Sequence, residues 1–328
     1  MNSFLFAVNA VAPIILMVAL GYWLKKMGMI RGDLAKSLNK LVFRVFLPAT
    51  LFLNVYKMDG FEQVEVGYIL YALGMTLILF LVGIPVAMMT TKDSARRGPM
   101  VQVSYRSNFA LVGLPLAQSL FGDEGGMVAA LLSAAVIPLF NVLAVISLTV
   151  FKREEGKPGI KKILMGILKN PLIAGIVAGL VALGVRGIFA QRGIAFRLTD
   201  IQPVYRVLEY LSGLSTPLAL LVLGAQFEFS AIKGLRREII TGVLYRTVLA
   251  PVLGVGVAYL FFGDRFGGAH FAAFVALFAT PVAVSSLPMA QEMGNDAELA
   301  GQYVVWTTLV SALSIFLASL WLKQVGIF

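Results

Sequence analysis

Three arginines, Arg44, Arg106 and Arg246, lie deep inside long apolar runs, while the seventeen acidic residues fall almost entirely in loops or near helix ends. A buried arginine without an acidic partner suits a carboxylate, which its planar fork binds through two parallel hydrogen bonds. Arg106 stands nine residues beyond Arg97, roughly 13 Å along a helix, and Arg246 is similarly deep beyond Arg237. Arg44 lies about two turns from a helix end, close enough to reach the interface with its long stem. Around these stand uncharged groups able to line a polar site: Asn108, Gln118, Asn141, Ser285, Ser286 and Gln291. Serine and asparagine also satisfy the freed backbone of interrupted helices, which is the structural reading of the same residues. Arg106 has a structural reading too, as a donor to carbonyls freed by a helix break.

Other chemistries are poorly provided for. With no cysteine, disulfides, thiol catalysis and thiolate metal sites are excluded. The single histidine, His270, offers neither a histidine metal cluster nor a base near the candidate serines. No Gly-x-x-x-x-Gly-Lys-Ser/Thr loop is present, so ATP hydrolysis is not expected. No enzyme activity and no cofactor is expected.

Residues of this kind need a membrane to hold them. The 328 residues are 59% hydrophobic and 13% charged, against roughly 45–50% and 25% in soluble domains. A soluble domain of this size cannot bury that much apolar surface. A lipid-facing exterior can, so the expected fold is an all-α integral membrane protein. Apolar runs near 4–25, 35–56, 66–90, 98–121, 125–151, 162–188, 203–227, 237–262, 268–293 and 298–323 predict ten spanning helices. No basic region precedes Phe4–Leu24, so that run is expected to remain as the first span.

The net charge of +10 does not point to nucleic acid, because lysine and arginine sit at the ends of apolar runs. One alternating set of loops holds Lys25, Lys26, Arg31 and Lys36; Lys92, Arg96 and Arg97; Lys152, Arg153, Lys157, Lys161 and Lys162; and Lys233, Arg236 and Arg237. The positive-inside rule places that set in the cytoplasm and both termini outside the inner membrane.

Two segments repeat a frame. Ala110–Asp123 reads ALVGLPLAQSLFGD and Ala283–Asp296 reads AVSSLPMAQEMGND. Around them Pro13 corresponds to Pro171, Pro48 to Pro217 and Pro85 to Pro251. Repeats of 1–155 and 156–328 would each carry five helices, and an odd number inserts the second half upside down, as in inverted-repeat transporters. Proline interrupts a helix, so breaks are expected at Gly113-Leu114-Pro115 in the fourth helix and at Ser285-Ser286-Leu287-Pro288 in the ninth. Interrupted backbone survives in a bilayer only against protein or a polar cavity. The two helices are therefore expected to cross at mid-membrane prolines, with Gly113, Pro115 and Pro288 bordering the substrate.

The blocks LVFRVFLPATLFLNVYKMD (Leu41–Asp59), RSNFALVGLPLAQSLFG (Arg106–Gly122) and ATPVAVSSLPMAQEMG (Ala279–Gly294) resemble the auxin efflux carrier family, most closely its short bacterial branch, which includes malonate carriers. The resemblance implies a scaffold of helices 1, 2, 6 and 7, a moving transport domain of helices 3–5 and 8–10, and substrate beside the crossing of helices 4 and 9. Plant members carry Asn-Pro-Asn at the breaks, whereas here Pro115 lies between two leucines and Pro288 between Leu287 and Met289. The expected function is secondary transport of a small organic anion, malonate-like or another carboxylic acid. Expected partners are that acid and the lipid bilayer, with a homodimer left open. A cation- or proton-coupled antiporter of similar fold and a carrier-like sensor are the alternatives.

Overall fold

The computed structural model describes residues 2–57, 66–152 and 160–328. The expected repeat boundary at 155/156 and the loop charges Arg153 and Lys157 lie outside the described residues. The fold is all helical among the described residues, apart from one antiparallel bridge pair.

In chain order the helices are α1 (Asn2–Lys26), α2 (Gly32–Tyr56), α3 (Val66–Thr90), α4 (Ser94–Tyr105), α5 (Phe109–Val150), α6 (Ile160–Leu168), α7 (Pro171–Gln191), α8 (Gln202–Gln226), α9 (Phe229–Phe262), α10 (Gly268–Phe278), α11 (Ser286–Glu292) and α12 (Ala297–Gln324). Seven of these, α2, α3, α5, α7, α8, α9 and α12, are long and apolar enough to cross a membrane. Their outward surfaces carry bare leucine, valine and phenylalanine, among them Leu180, Leu260, Phe261 and Leu313. Such a surface is stable against lipid and not against water.

Helix α5 is interrupted at Phe121–Gly122, where Gly122 has φ +61°. A side chain at Gly125 would meet the carbonyl of Ala117, and one at Gly126 would meet Gln118. Residues eight apart in a straight helix are separated by roughly 12 Å. These contacts therefore mean that the chain folds back at Gly122 into two antiparallel arms. The first arm is the second half of the expected fourth span (98–121), whose first half is α4, and the second arm matches the expected fifth (125–151).

Three prolines are accommodated in one way. Val42–Phe46 precedes Pro48, Phe109–Gly113 precedes Pro115, and Tyr245–Leu249 precedes Pro251, each stretch being a widened π turn. In each the residue before proline donates its N–H five residues back: Leu47 to Val42, Leu114 to Phe109, and Ala250 to Tyr245. The wider turn moves a carbonyl away from the proline ring and absorbs the missing donor.

Most of the packing falls within two groups of helices, which α1 joins. Helix α1 packs on α8, and α2 packs on α7 and α8. In the other group α5 packs on α10, α3 on α4, and α12 on α9 and α11, with α1 also packed against α12. Arg96, at the start of α4, bonds Glu238 of α9 at 2.8 Å and lies 3.3 Å from Asp296 at the start of α12. With Asp296 N–H donating to the Ala95 carbonyl, this ties one end of the second group together.

Candidate functional site

Helix α4 ends at Tyr105, and Arg106 to Asn108 run extended before α5 begins. Helix α10 ends at Phe278, and the chain returns to helix only at Ser286. The two gaps meet. Ser107 pairs with Val282 in the antiparallel bridge, and the Asn108 N–H donates to the Pro281 carbonyl at 2.7 Å.

The breaks therefore fall at 106–108 and 279–285, upstream of the expected prolines. This corrects the placement of the crossing at Pro115 and Pro288. Pro115 lies one turn inside the restarted α5, its missing donor absorbed by the wide turn. Pro288 lies in the first turn of α11, where a helical N–H has no intrahelical partner anyway. The first break is held open by the pairing of Ser107 with Val282 and of the Asn108 N–H with the Pro281 carbonyl. The second is favoured by Thr280, which precedes Pro281 and is biased toward extended backbone.

Each side of the crossing is held by an arginine. Arg246, fully buried on α9, donates Nε to the Thr280 carbonyl at 2.7 Å and NH2 to the Leu277 carbonyl at 2.8 Å. The Leu277 carbonyl is one that the last turn of α10 leaves without a helical partner, and Thr280 lies just beyond the helix in the gap. Arg106 is 2% exposed. Its NH2 donates to Asn141 Oδ1 at 2.9 Å and Ser285 Oγ at 2.8 Å, and its NH1 lies 2.8 Å from Met289 Sδ and 3.5 Å from Ser286 Oγ. Asn141 is oriented by its own amide, which donates to the Ile137 carbonyl at 2.8 Å. Neither arginine makes an ion pair among the described residues.

Beside the crossing is a cavity of about 100 Å³. Arg106, Ser107, Asn108, Asn141 and Ser285 line it from one helix group, and Thr50, Asn54, Ser215 and Thr216 from α2 and α8 of the other. The first turn of α5, Phe109 to Leu111, also faces it, and the first N–H groups of a helix have no intrahelical partner and favour negative charge. The Asn108 amide nitrogen and the Ser107 hydroxyl are buried without a partner among the described residues. A carboxylate in this cavity would meet a guanidinium, an amide donor, a hydroxyl and a helix amino end.

The other sequence candidates lie elsewhere. Arg246 does not line this cavity; its Nε and NH2 donate to backbone carbonyls of the segment that leads to Ser285, while its NH1 is buried without a partner among the described residues. Pro115 and Gln118 border a separate groove of about 620 Å³, and Gln291 borders a pocket of about 470 Å³ that also holds Lys25, Arg31 and Lys36. Gln118 bonds Asp123 at 3.3 Å. Arg44 is exposed on its helix.

Gly113 is a contact residue, because a Cβ there would meet the Ala276 carbonyl and the Phe109 ring. Gly113→Leu should push α5 from α10 and disturb the cavity wall. Overpacking of this kind costs roughly 1–3 kcal/mol. A lowered melting temperature together with lost transport is the expected result, and unchanged melting would remove this role.

Sequence reasoning missed Ser107, Thr280, Pro281, Thr50, Asn54, Ser215 and Thr216. A signal was available: Thr50 and Thr216 lie beside Pro48 and Pro217, the proline pair already matched between the halves.

Comparison with known proteins places the chain among membrane transport proteins. A family model described as membrane transport protein matches residues 6–159 and 157–319. An uncharacterized transporter of Methanothermobacter thermautotrophicus is 24% identical over 322 residues, covering 95% of this chain and 97% of the relative. An uncharacterized transporter of Methanocaldococcus jannaschii is 26% identical, covering 94% and 96%. A Rhizobium meliloti protein, provisionally named a malonate transporter, is 22% identical, covering 93% and 92%.

Proposed function

The chain belongs to the membrane transport protein family, that of the auxin efflux carriers, and from this premise we propose that it carries a small organic anion across the cell membrane by alternating access. The carrying observation is Arg106, buried at the crossing without an acidic partner and lining a cavity with the unpartnered Asn108 amide. The cavity is small, about 100 Å³, and lined largely by polar side chains, which favours a short acid such as malonate, and the Rhizobium meliloti relative bears that name.

In this reading ten spans form two inverted repeats, 1–155 and 156–328. Helices α1, α2, α7 and α8 are the scaffold, and the group around the crossing moves against them with substrate between. The basic loops face the cytoplasm and both termini face outward. Support for such motion comes from the cavity lining, which is divided between the two helix groups. Ala110 borders both the cavity and the groove at Pro115, so this conformation is read as opening on the terminal side.

The test is counterflow of labelled malonate, succinate, lactate and indole-3-acetate in proteoliposomes. Saturable transport of a small acid is expected, with little or none of the indole acid. Silence across the panel from folded protein would end the proposal. Asn141→Asp provides a sharper probe, since it places a permanent counter-ion 2.9 Å from Arg106. The arginine is then neutralised internally, at the loss of the amide's bond to the Ile137 carbonyl, and uptake is expected to fall at least about tenfold. Normal uptake by this variant would separate Arg106 from the substrate.

A further inference from the structure

We propose that the protein is an obligatory anion exchanger: the carrier reorients when loaded and stays in place when unloaded. This deepens the carrier reading above and rests on it. The inference starts from the difference between satisfying hydrogen bonds and neutralising charge. Arg106 is 2% exposed, and its protein partners are an amide oxygen, two hydroxyls and a thioether. All are neutral. They meet the donors of the guanidinium and leave its unit charge intact. Arg246, fully buried on α9, is met at Nε and NH2 by carbonyl dipoles, has no partner at NH1, and faces no carboxylate among the described residues. No aspartate or glutamate forms an ion pair with either residue among the described residues.

Alternating access requires a moment at which the site is closed to both sides. In that moment water no longer shares the charge on Arg106, and a lone charge in a low-dielectric interior is strongly disfavoured. A bound monovalent carboxylate cancels it at contact distance. The charge of Arg246 is common to both forms and does not distinguish them. The unloaded carrier therefore meets a higher barrier than the loaded one. The disfavour measured for a lone arginine at the centre of a membrane helix, read as a rate ratio, corresponds to about a hundredfold.

The experiment uses the full-length protein in liposomes, with labelled lactate and, in parallel, labelled malonate outside. The interior holds either the same unlabelled acid or only zwitterionic buffer, and valinomycin with potassium clamps the potential. Lactate influx into lactate-loaded vesicles is expected to exceed influx into acid-free vesicles by about a hundredfold. Malonate enters as the dianion and leaves one net negative charge on the loaded site, so it is expected to show a smaller ratio. Lactate exchange should be insensitive to the clamped potential, because the loaded site carries no added charge, whereas the slow net influx should depend on it. In Arg106→Gln both fluxes fall and their ratio drops toward one. Equal influx in the two wild-type arms overturns the exchanger and leaves the carrier standing. No influx of either acid in either arm, from protein that still melts cooperatively, overturns both together.

Discussion

Acid uptake is expected to fall by two to three orders of magnitude when Arg106 becomes alanine, while the protein melts no earlier than wild type. Both halves of that expectation follow from the same surroundings. Losing one member of a buried, hydrogen-bonded charge pair costs about 2–5 kcal/mol, and each 1.4 kcal/mol is tenfold in binding. In the protein alone, however, the guanidinium is a buried charge met only by Asn141, Ser285, Ser286 and Met289. Its removal relieves a desolvation cost and leaves small polar groups beside a cavity. A purely structural arginine would behave differently, losing stability together with activity. Arg106→Lys keeps the charge and loses the fork, so it should recover only a small part of the uptake. Full uptake by the alanine variant in counterflow would remove the carboxylate role.

The companion substitution, Arg246→Met, is expected to show the reverse priority. Methionine fills a similar space, but the Leu277 and Thr280 carbonyls lose donors at 2.8 and 2.7 Å. Each buried group left without a partner costs about 1–3 kcal/mol. This loss of roughly 2–6 kcal/mol is offset in part by relief of the buried charge, whose NH1 has no partner among the described residues, so a net lowering of the melting temperature by roughly 5 to 10 °C is expected. The cavity wall carrying Ser285 would loosen with it, so uptake falls as a consequence. Thermal scans in detergent beside uptake at a permissive temperature separate the cases. If Arg246→Met melts like wild type and still loses uptake, Arg246 touches the substrate.

Much of this was legible in the residues and some was not, for physical reasons. Lipid-facing composition fixes a membrane fold because no soluble interior can hold it. The deep placement of Arg106 was visible from its distance past Arg97, and Asn108, Asn141 and Ser285 do gather with it at the cavity. What misled was proline. A proline marks a place where one hydrogen bond is missing, but a π turn can absorb that loss, as at Pro48, Pro115 and Pro251. The chain opens where a partner exists for the opened backbone, and Asn108 finds one at Pro281. Such a partner is a property of the folded pair and of neither segment alone. The same limit explains Arg246, whose deep position was plain and whose carbonyl partners on another helix were not. It also explains Thr50 and Thr216, which face the site only because α2 and α8 lie across from the crossing.

The meeting of the two gaps also bears on how the protein is made. Ser285, which receives a hydrogen bond from Arg106, is synthesised 179 residues later. At ordinary ribosomal speed that is an interval of roughly 10 to 40 seconds. Throughout it, the nascent amino-terminal half holds an interrupted helix with a charged side chain and no bridge partner for Ser107. It must wait in the translocon, against a chaperone or with water drawn into the bilayer, and quality-control proteases would meet it in that state. Separately encoded halves should consequently be degraded when expressed singly and rescued when expressed together.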